Sequence, residues 1–268
     1  MLQQIIDFHD EGEELRGLLL TLEDRDWDRK TLFKDWTIND VVLHLHASDL
    51  NAAASARNRE EYEALRASIQ EKRKAGLSMI EETRQRFAGL RGKALLSRWW
   101  EQLEALCELL AAKEPHTRLT WAGPTMAVRM FTTARQMETW AHGQEIYDVM
   151  GRQRVFHDRL RNVAEIGVRT FGWTFTNRKL PLPGDPPYVR LTAPSGAIWD
   201  WNVPQIDNAI EGDGVEFCQV VTQTRSIDDT SLKVTGAPAR RWMELAQCFA
   251  GPANDPPAKG SRHVAKAS

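Results

Sequence analysis

The chain has 268 residues, of which 42% are hydrophobic and 27% are charged, and its formal net charge is −2 at pH 7. This length is enough for one large domain or two ordinary ones, and the near-neutral charge favours neither nucleic acid nor an anionic membrane as a partner. Three widely spaced cysteines support neither a disulfide framework nor a cysteine-rich zinc site. Since the sequence shows neither a signal peptide nor a membrane span, we expect a soluble, cytoplasmic protein.

The first half of the chain has the hydrophobic spacing of α-helices. Residues 57–91 are instead dense in charges of mixed sign, which is typical of the solvated face of a helix. Four main helices of this length predict an antiparallel bundle. The segments are residues 2–22, a helix that opens with Thr37 as N-cap and Asp40 three positions on, residues 94–112, and residues 125–150 followed by Gly151.

The second half changes character and predicts a small α+β unit. A helical region over residues 157–176 precedes a proline-rich bend, and the turn Ala193-Pro-Ser-Gly196 joins two strands into a hairpin. Residues 252–268 are rich in Pro, Ala, Lys and Gly, which predicts a disordered tail. The predicted strands are residues 188–192, 197–201 and 232–235, and further helices are expected over residues 212–224 and 239–249.

The last bundle helix places a carboxylate and an imidazole one turn apart on the side that should be buried. At about 100° per residue, Glu138 and His142 share a stripe with Phe131, Ala134 and Glu145. Burying an unpaired carboxylate is expensive, and a metal ion or a strong ion pair is the common resolution. The i, i+4 spacing lets both side chains reach one ion, but it is also the spacing of an ordinary hydrogen-bonded Glu–His pair.

The second helix adds two histidines, His44 and His46. Their angular offsets from the apolar stripe are similar, and they point to nearly opposite sides of the helix. Periodicity therefore leaves either one as the further ligand, and makes it improbable that both bind one ion.

Two segments together resemble the mycothiol-dependent maleylpyruvate isomerase family, which belongs to the DinB-like metal-binding bundles. They are Trp36-Thr-Ile-Asn-Asp-Val-Val-Leu-His44-Leu and Arg135-Gln-Met-Glu138-Thr-Trp-Ala-His142-Gly-Gln-Glu145-Ile. The family combines a Trp-Ser/Thr start and a following His-Leu with a later Arg-x-x-Glu-x-x-x-His helix. The resemblance puts the three metal ligands on His44, Glu138 and His142, and so selects His44 over His46.

The second half resembles the sterol-carrier-like C-terminal domain of that family. The matching segments begin at Tyr188 and at Val221, and the second contains Arg225. The resemblance implies a two-domain α+β protein: a DinB-like four-helix bundle over residues 1–152, a sterol-carrier-like α+β domain over residues 153–251, and the tail. In two places the chain departs from the family. Glu145 stands where the family commonly has Asp, and Val-Thr-Gln-Thr precedes Arg225 in place of an apolar run ending in Trp-Gly.

The resemblance also implies a bacterial enzyme that uses a divalent metal to act on a small organic molecule. Three protein ligands leave an open position, which is the layout of catalytic zinc, although nickel, iron or manganese also suit these ligands. A low-molecular-weight thiol such as mycothiol or glutathione, or water, would be activated there by an isomerase or thiol transferase, with a hydrolase or lyase as the alternatives. Arg225 is expected to lie over the site and bind a carboxylate, and Arg135 and Glu145 are expected to orient the ligands.

A non-catalytic metal-containing protein that holds a small molecule or a lipid is the alternative function. It predicts an apolar tunnel in the C-terminal domain and a closed metal site, whereas the enzyme predicts a labile water and a polar, arginine-lined pocket. In both cases the expected partner is a small molecule, with no nucleic acid and no membrane, and the chain is expected to be a monomer or a homodimer.

Overall fold

The chain divides into two compact units, Met1–Val149 and Met150–Ser268, and the computed structural model describes it as far as residue 265. The first unit is mainly helical, and the second combines helices with a four-stranded sheet. This mixed helical and sheet architecture is the coarse fold class that the sequence predicts. Within residues 1–265, no helix is both long enough and apolar enough to cross a lipid bilayer.

Six helices and a short two-stranded ribbon make up the first unit. The helices are α1 (Gln3–Leu20), α2 (Ile38–Arg57), α3 (Arg59–Lys74), α4 (Met79–Arg86), α5 (Gly92–Ala111) and α6 (Val128–Val149). The ribbon pairs β1 (Arg118–Leu119) with β2 (Met126–Ala127), immediately before α6. A 3-10 turn, Asp24–Asp28, lies between α1 and α2.

The four longest helices of this unit contact one another in a ring. α1 lies against α5 and α6, and α2 lies against the same two helices. Large apolar side chains fill the centre, and Leu15, Trp99 and Leu103 are fully buried. The charged segment 57–91 forms α3 and α4, which contact α2 and carry mostly exposed side chains. Gly76 separates these two helices with a φ of 100°, a conformation that glycine adopts readily.

Asp40 fixes both the start of α2 and the docking of α4. The Thr37 hydroxyl accepts a hydrogen bond from the Asp40 N–H, and Asp40 Oδ2 accepts one from the Thr37 N–H at 2.9 Å. Arg84 of α4 donates from Nε and Nη2 to the two carboxylate oxygens, each at 2.7 Å. Burial alone would raise the pKa of Asp40, but the hydrogen bonds from Arg84 and Thr37 outweigh it and hold that pKa below its ordinary value.

The second unit packs helices against a four-stranded sheet. Its helices are α7 (Arg161–Arg169), α8 (Phe171–Asn177), α9 (Gly214–Val221) and α10 (Ala237–Met243). Its strands are β3 (Tyr188–Thr192), β4 (Ile198–Trp201), β5 (Ala209–Asp213) and β6 (Lys233–Thr235). The sheet order is β4-β3-β5-β6, with β3 parallel to β5 and the other neighbours antiparallel.

The predicted hairpin is present, but the helix predicted over residues 212–224 is wrong in its first part. β3 and β4 pair antiparallel around the predicted turn. β5 then occupies the residues up to Asp213, and α9 begins directly after it. Asp213 causes the switch, because its carboxylate accepts hydrogen bonds from the N–H groups of Val215 and Glu216 and so caps the helix.

Two other predicted helices differ in extent. The closing helix predicted over residues 239–249 ends at Met243, after which the chain turns and the Cys248 N–H donates to the Val221 carbonyl at 2.9 Å. The helical region predicted over residues 157–176 begins with a 3-10 turn and is divided between α7 and α8 at Thr170. The Thr170 hydroxyl donates back to the Ile166 carbonyl at 2.8 Å, a bond that competes with the regular helix.

Part of the predicted disordered tail is held against the second unit. Asn254 Nδ2 donates to Gln223 Oε1 at 2.6 Å, and the Asn254 N–H donates to Gln247 Oε1 at 2.9 Å. The Gly260 N–H donates to the Asp229 carboxylate at 2.9 Å. Two of these anchors, Gln223 and Asp229, lie 31 residues before the groups that they bind, and composition alone does not reveal them. Residues 266–268 of the predicted tail lie outside the described residues.

The Asp40–Arg84 pair predicts a pH dependence of stability. Because the folded-state pKa of Asp40 lies below its ordinary value of 3.8, the pair stabilises the protein fully above that value and ceases to do so as pH falls through the folded pKa. At pH 7, Asp40→Asn is expected to lower the free energy of unfolding by about 2 kcal/mol, the scale of hydrogen bonds to a charged group. In urea unfolding, the difference from wild type should shrink below pH 4.

Asp28→Asn is the matched control, because it breaks an ion pair with Arg91 in which both side chains are exposed to water. It should cost far less than Asp40→Asn at pH 7. Equal losses in the two variants would contradict the role given to Asp40.

Candidate metal centre

The two histidines of α2 have different surroundings. His44 faces α6, where its Nε2 lies 3.2 Å from Oε2 of Glu138. His46 packs against Phe87, with 5.1 Å between the ring centres, and burial and nearby arginines lower its pKa to about 4. It is therefore His44 that stands beside Glu138, the position that the family resemblance assigns to a ligand.

α6 carries the two other candidate ligands one turn apart. His142 Nε2 lies 3.6 Å from the same Glu138 Oε2, and the rings of His44 and His142 are 4.7 Å apart between centres. One ligand atom from each of the three side chains lies within 4.8 Å of the other two. The side chains are largely buried, with exposed fractions of 13% for His44, 23% for Glu138 and 11% for His142.

These separations fit a single metal ion. Zinc binds nitrogen and oxygen at about 2.0–2.1 Å, so two ligand atoms at a tetrahedral angle are about 3.4 Å apart. The two contacts to Glu138 Oε2, at 3.2 and 3.6 Å, lie on either side of that value. Among the described residues, one other group offers three such ligand atoms, but its two acids are exposed; it consists of His9, Asp10 and Glu13.

Glu145 lies behind His142. Its Oε2 is 3.2 Å from His142 Nδ1. A proton on Nδ1 donated to this carboxylate leaves the lone pair of Nε2 directed toward Glu138. Carboxylate–histidine pairs of this kind fix the tautomer and the ring orientation of metal-binding histidines. The longer Glu145, which replaces the Asp common in the family, therefore still reaches the imidazole.

The pKa shifts in this cluster reflect burial opposed by charge. Burial alone would raise the pKa of Glu138, but the hydrogen bond from His44 and the charge of His142 hold it down at about 2. Burial lowers the pKa of His44, and Glu138 offsets this only in part. Burial also acts to lower the pKa of His142, but the carboxylates of Glu145 and Glu138 outweigh it and raise that pKa. Glu138 is therefore ionised at neutral pH, the form that binds cations.

Two aromatic side chains from the loop before α2 pack against the imidazoles. Trp36 stacks on His142, with 12° between the planes and 6.0 Å between the ring centres, and Phe33 meets His142 edge-on at 5.3 Å. A backbone bridge between Lys30 and Thr37 makes this loop a hairpin. The sequence marks Trp36 through the family motif, whereas no local pattern indicates Phe33.

The hairpin turns at Lys34 and Asp35, whose φ values are 53° and 56°. The Trp36 N–H donates to the Phe33 carbonyl at 2.9 Å and closes the turn. Two consecutive left-handed residues are normally Asn-Gly, since other residues cost roughly 1–3 kcal/mol each in this region. The Lys34 ammonium lies 4.9 Å from the centre of the Phe33 ring, a cation–π contact that offsets part of this cost.

Arg135 pairs with Asp49 of α2. Its Nε donates to Asp49 Oδ1 at 2.9 Å, and Trp99 of α5 donates from Nε1 to the other carboxylate oxygen at 3.1 Å. The sequence predicts that Arg135 orients a metal ligand, but its hydrogen bond goes to Asp49, which was not anticipated. The signal that could have identified Asp49 is an acid within an otherwise buried stretch of α2, where an unpaired carboxylate is costly.

Arg225 belongs to the second unit and follows α9. Its Nη1 donates to the Thr224 carbonyl at 2.7 Å. Gln223 is buried and has a φ of 60°, so the stretch that departs from the family pattern before Arg225 forms a tight left-handed turn. The binding of a carboxylate by Arg225 stays a prediction.

A family model and two curated relatives match this chain. Residues 8–147 match the family model described as the mycothiol maleylpyruvate isomerase N-terminal domain. Two uncharacterized proteins of Mycobacterium tuberculosis, from strains CDC 1551 / Oshkosh and ATCC 25618 / H37Rv, are each 32% identical to this chain over 248 residues. Each alignment covers 92% of this chain and 95% of the relative.

Two solved structures share the fold. They are crystal structures of the mycothiol-dependent maleylpyruvate isomerase and of a mutant with one histidine replaced by alanine, with TM-scores of 0.52 and 0.51. Each covers 81% of this chain and 87% of its own chain, at 13% sequence identity. At this identity the likeness is one of fold alone.

The turn that presents Phe33 and Trp36 predicts an unusual effect of glycine. Asp35→Gly should raise the free energy of unfolding by about 1 kcal/mol, because glycine adopts the left-handed conformation without strain. Asp10→Gly, the same substitution on the exposed face of α1, should lower it by about 0.3 kcal/mol, the difference in helix propensity between the two residues. Urea unfolding of both variants measures the difference, and a loss of stability in Asp35→Gly would contradict the strained turn.

Proposed function

The chain belongs to the mycothiol maleylpyruvate isomerase family, and we propose that it is a divalent-metal-dependent enzyme acting on a small organic substrate. The match over residues 8–147 confirms the resemblance inferred from the two metal segments. The solved relatives with the same fold are mycothiol-dependent isomerases. For this chain we propose a reaction of the same class, an isomerisation or thiol transfer assisted by a low-molecular-weight thiol. Hydrolysis by an activated water molecule is the alternative reaction.

The observation that carries the proposal is the convergence of His44, Glu138 and His142. Their ligand atoms come from two facing helices, as in metal sites of helical bundles, and their separations fit one ion. Two imidazoles and one carboxylate favour zinc, and suit nickel, iron or manganese as well. Three protein ligands leave a coordination position for another molecule, which is characteristic of catalytic and not of structural zinc.

The residues around the ligands support a catalytic role. When bound, a divalent ion supplies a Lewis acid that favours the deprotonated form of a thiol or of water. Glu145 holds the His142 ring so that Nε2 faces the ligand cluster. Trp36 and Phe33 pack against the imidazoles and limit the access of water to them. We propose that Arg225 binds a carboxylate of the substrate in bidentate fashion.

We also propose the finer fold assignments that the resemblance implies. The ring of four long helices supports a DinB-like four-helix bundle over residues 1–152. The packing of α9 on β3 and β5 supports a sterol-carrier-like α+β domain over residues 153–251. The departures from the family, Glu145 and the turn at Gln223, concern the immediate neighbours of His142 and Arg225, so they bear on the identity of the substrate more than on metal binding.

The metal site predicts a specific pattern of metal content. His44→Ala, Glu138→Gln and His142→Ala are each expected to lose most of the metal that copurifies with wild type, since each removes one of three ligands. His46→Asn is the control, because His46 lies on the same helix but faces Phe87. Elemental analysis of the purified proteins measures the content. Full stoichiometric metal in His142→Ala would show that the site assignment is wrong.

The enzyme proposal predicts turnover that depends on a thiol. Metal-loaded wild type should act on maleylpyruvate or on a panel of small electrophiles with mycothiol, less with glutathione, and not without a thiol. Glu138→Gln should abolish turnover together with metal binding. Arg225→Met should keep the metal but lose about 2 kcal/mol of transition-state binding for substrates with a carboxylate, which is about 30-fold in kcat/KM.

The outcomes of the turnover assay separate the function classes. Thiol-independent turnover would favour a hydrolase. If wild type contains stoichiometric metal but turns over none of the substrates, the result would favour the non-catalytic binding protein instead.

A further inference from the structure

Three helices of the first unit meet at one buried carboxylate, that of Asp49. Asp49 is completely inaccessible to solvent, and Arg135 is 9% exposed. Arg135 Nε donates to Oδ1 at 2.9 Å and Trp99 Nε1 donates to Oδ2 at 3.1 Å, so each oxygen has its own donor from a different helix. This Asp49 cluster, consisting of Asp49, Arg135 and Trp99, therefore ties α2 to α6 and to α5.

The Asp49 cluster lies next to the candidate ligands on the same two helices. Asp49 follows His44 by five residues on α2, about 7.5 Å along the axis, and Arg135 precedes Glu138 by three residues on α6, about 4.5 Å. The contact pairs His44–Glu138 and Asp49–Arg135 thus run in opposite directions along the two helices, as expected for antiparallel neighbours. Two cross-links about one turn apart define both the separation and the register of α2 and α6.

We propose that Asp49, Arg135 and Trp99 are positioning residues that hold α2 and α6 in register, so that His44 and Glu138 meet in a geometry already suited to a metal ion. This inference rests on the proposed function of the His44, Glu138 and His142 site. A metal site needs its ligand atoms held within a few tenths of an ångström of their bonding positions by side chains that are themselves locked. Flexible α2–α6 packing would leave that ordering to the ion and weaken its binding.

The chemistry of Arg135 fits a positioning role. Its guanidinium binds Asp49 through Nε, while its Nη2 is buried and has no hydrogen-bond partner within residues 1–265. The bond to Asp49 therefore orients the planar group. A lysine at this position would offer only a point charge without a fixed orientation.

The test uses Co²⁺ as the probe, because its visible absorption reports the geometry of the coordination site. Co²⁺ is titrated into five full-length proteins, and the thermal unfolding of each is recorded. They are wild type, Asp49→Asn, Arg135→Met, the double variant and the milder Trp99→Phe. We expect Asp49→Asn and Arg135→Met to bind Co²⁺ about 10- to 100-fold more weakly than wild type, the usual effect of removing groups that support metal ligands. A shifted absorption spectrum should accompany the loss, with a smaller shift for Trp99→Phe.

The double variant distinguishes positioning from simple stability. Each single change leaves one buried partner unpaired and should lower the Tm, whereas removing both charges should restore much of it. A positioning role predicts that the double variant still binds Co²⁺ weakly despite its recovered Tm. Asp40→Asn is the matched control: it removes a buried acid of the same helix, α2, that pairs with Arg84 of α4, and it should lower the Tm without altering the Co²⁺ spectrum.

Three results would overturn the inference. If wild type binds Co²⁺ and the Asp49 and Arg135 variants bind it with the same affinity and spectrum, the positioning role is wrong while the metal site stands. If wild type itself binds no Co²⁺, the proposed metal site fails, and the positioning role fails with it. Co²⁺ binding by the double variant that recovers together with its Tm would assign the cluster a purely structural role.

Discussion

The carboxylate of Glu138, whose side chain is largely buried within the first unit, is the constraint on which the arrangement of that unit depends. An ionised carboxylate in such surroundings is costly unless positive or hydrogen-bonding groups converge on it. His44 reaches one of its oxygens from α2 and His142 reaches the same oxygen from α6. Because the two histidines come from different helices, this requirement brings α2 against α6 at one defined height of the bundle. Glu145 and Trp36 then hold His142 in place.

Buried helices are usually apolar, but α6 buries many polar side chains, and this is informative about function. Along this helix many polar side chains are buried, among them Arg135, Gln136, Thr139, His142 and Glu145. An apolar helix of the same length would stabilise the bundle more simply. A local conflict between burial and polarity of this size is characteristic of functional sites, where stability is given up for chemistry. The same reasoning applies to the turn at Lys34 and Asp35, where two strained residues present aromatic rings to the imidazoles.

Local patterns predicted the helices well and the contacts between them poorly. Hydrophobic spacing located α1, α5 and α6, because in those helices one apolar face decides the structure. The choice between His44 and His46 needed the family resemblance, since both have similar offsets from the apolar face. Asp49 and Phe33 escaped prediction because their partners come from other helices and from a turn with no Asn-Gly signature.

The second unit shows the same limit. Its hairpin was predicted from a turn of four residues, whereas β5 was missed because its pairing with β3 and β6 is non-local. The segment after Gly251 reads as disordered from composition, yet its amides find partners more than thirty residues earlier in the chain, at Gln223 and Asp229. The convergence of His44, Glu138 and His142 was predictable because spacing on one helix and one family motif sufficed. The roles of Arg225, Arg135 and Glu145 in catalysis remain predictions.

The anchoring of Asn254 and Gly260 has a consequence for the order in which the protein assembles during synthesis. The contacts among His44, Glu138 and His142 need only the first 149 residues, which emerge from the ribosome before the second unit. The second unit, in contrast, lacks the partners of Gln223 and Asp229 until residue 260 has been translated. The three candidate ligands can thus come together before the turn that carries Arg225 has formed. A nascent chain could bind the proposed metal ion while the part of the protein proposed to select the substrate is still being made.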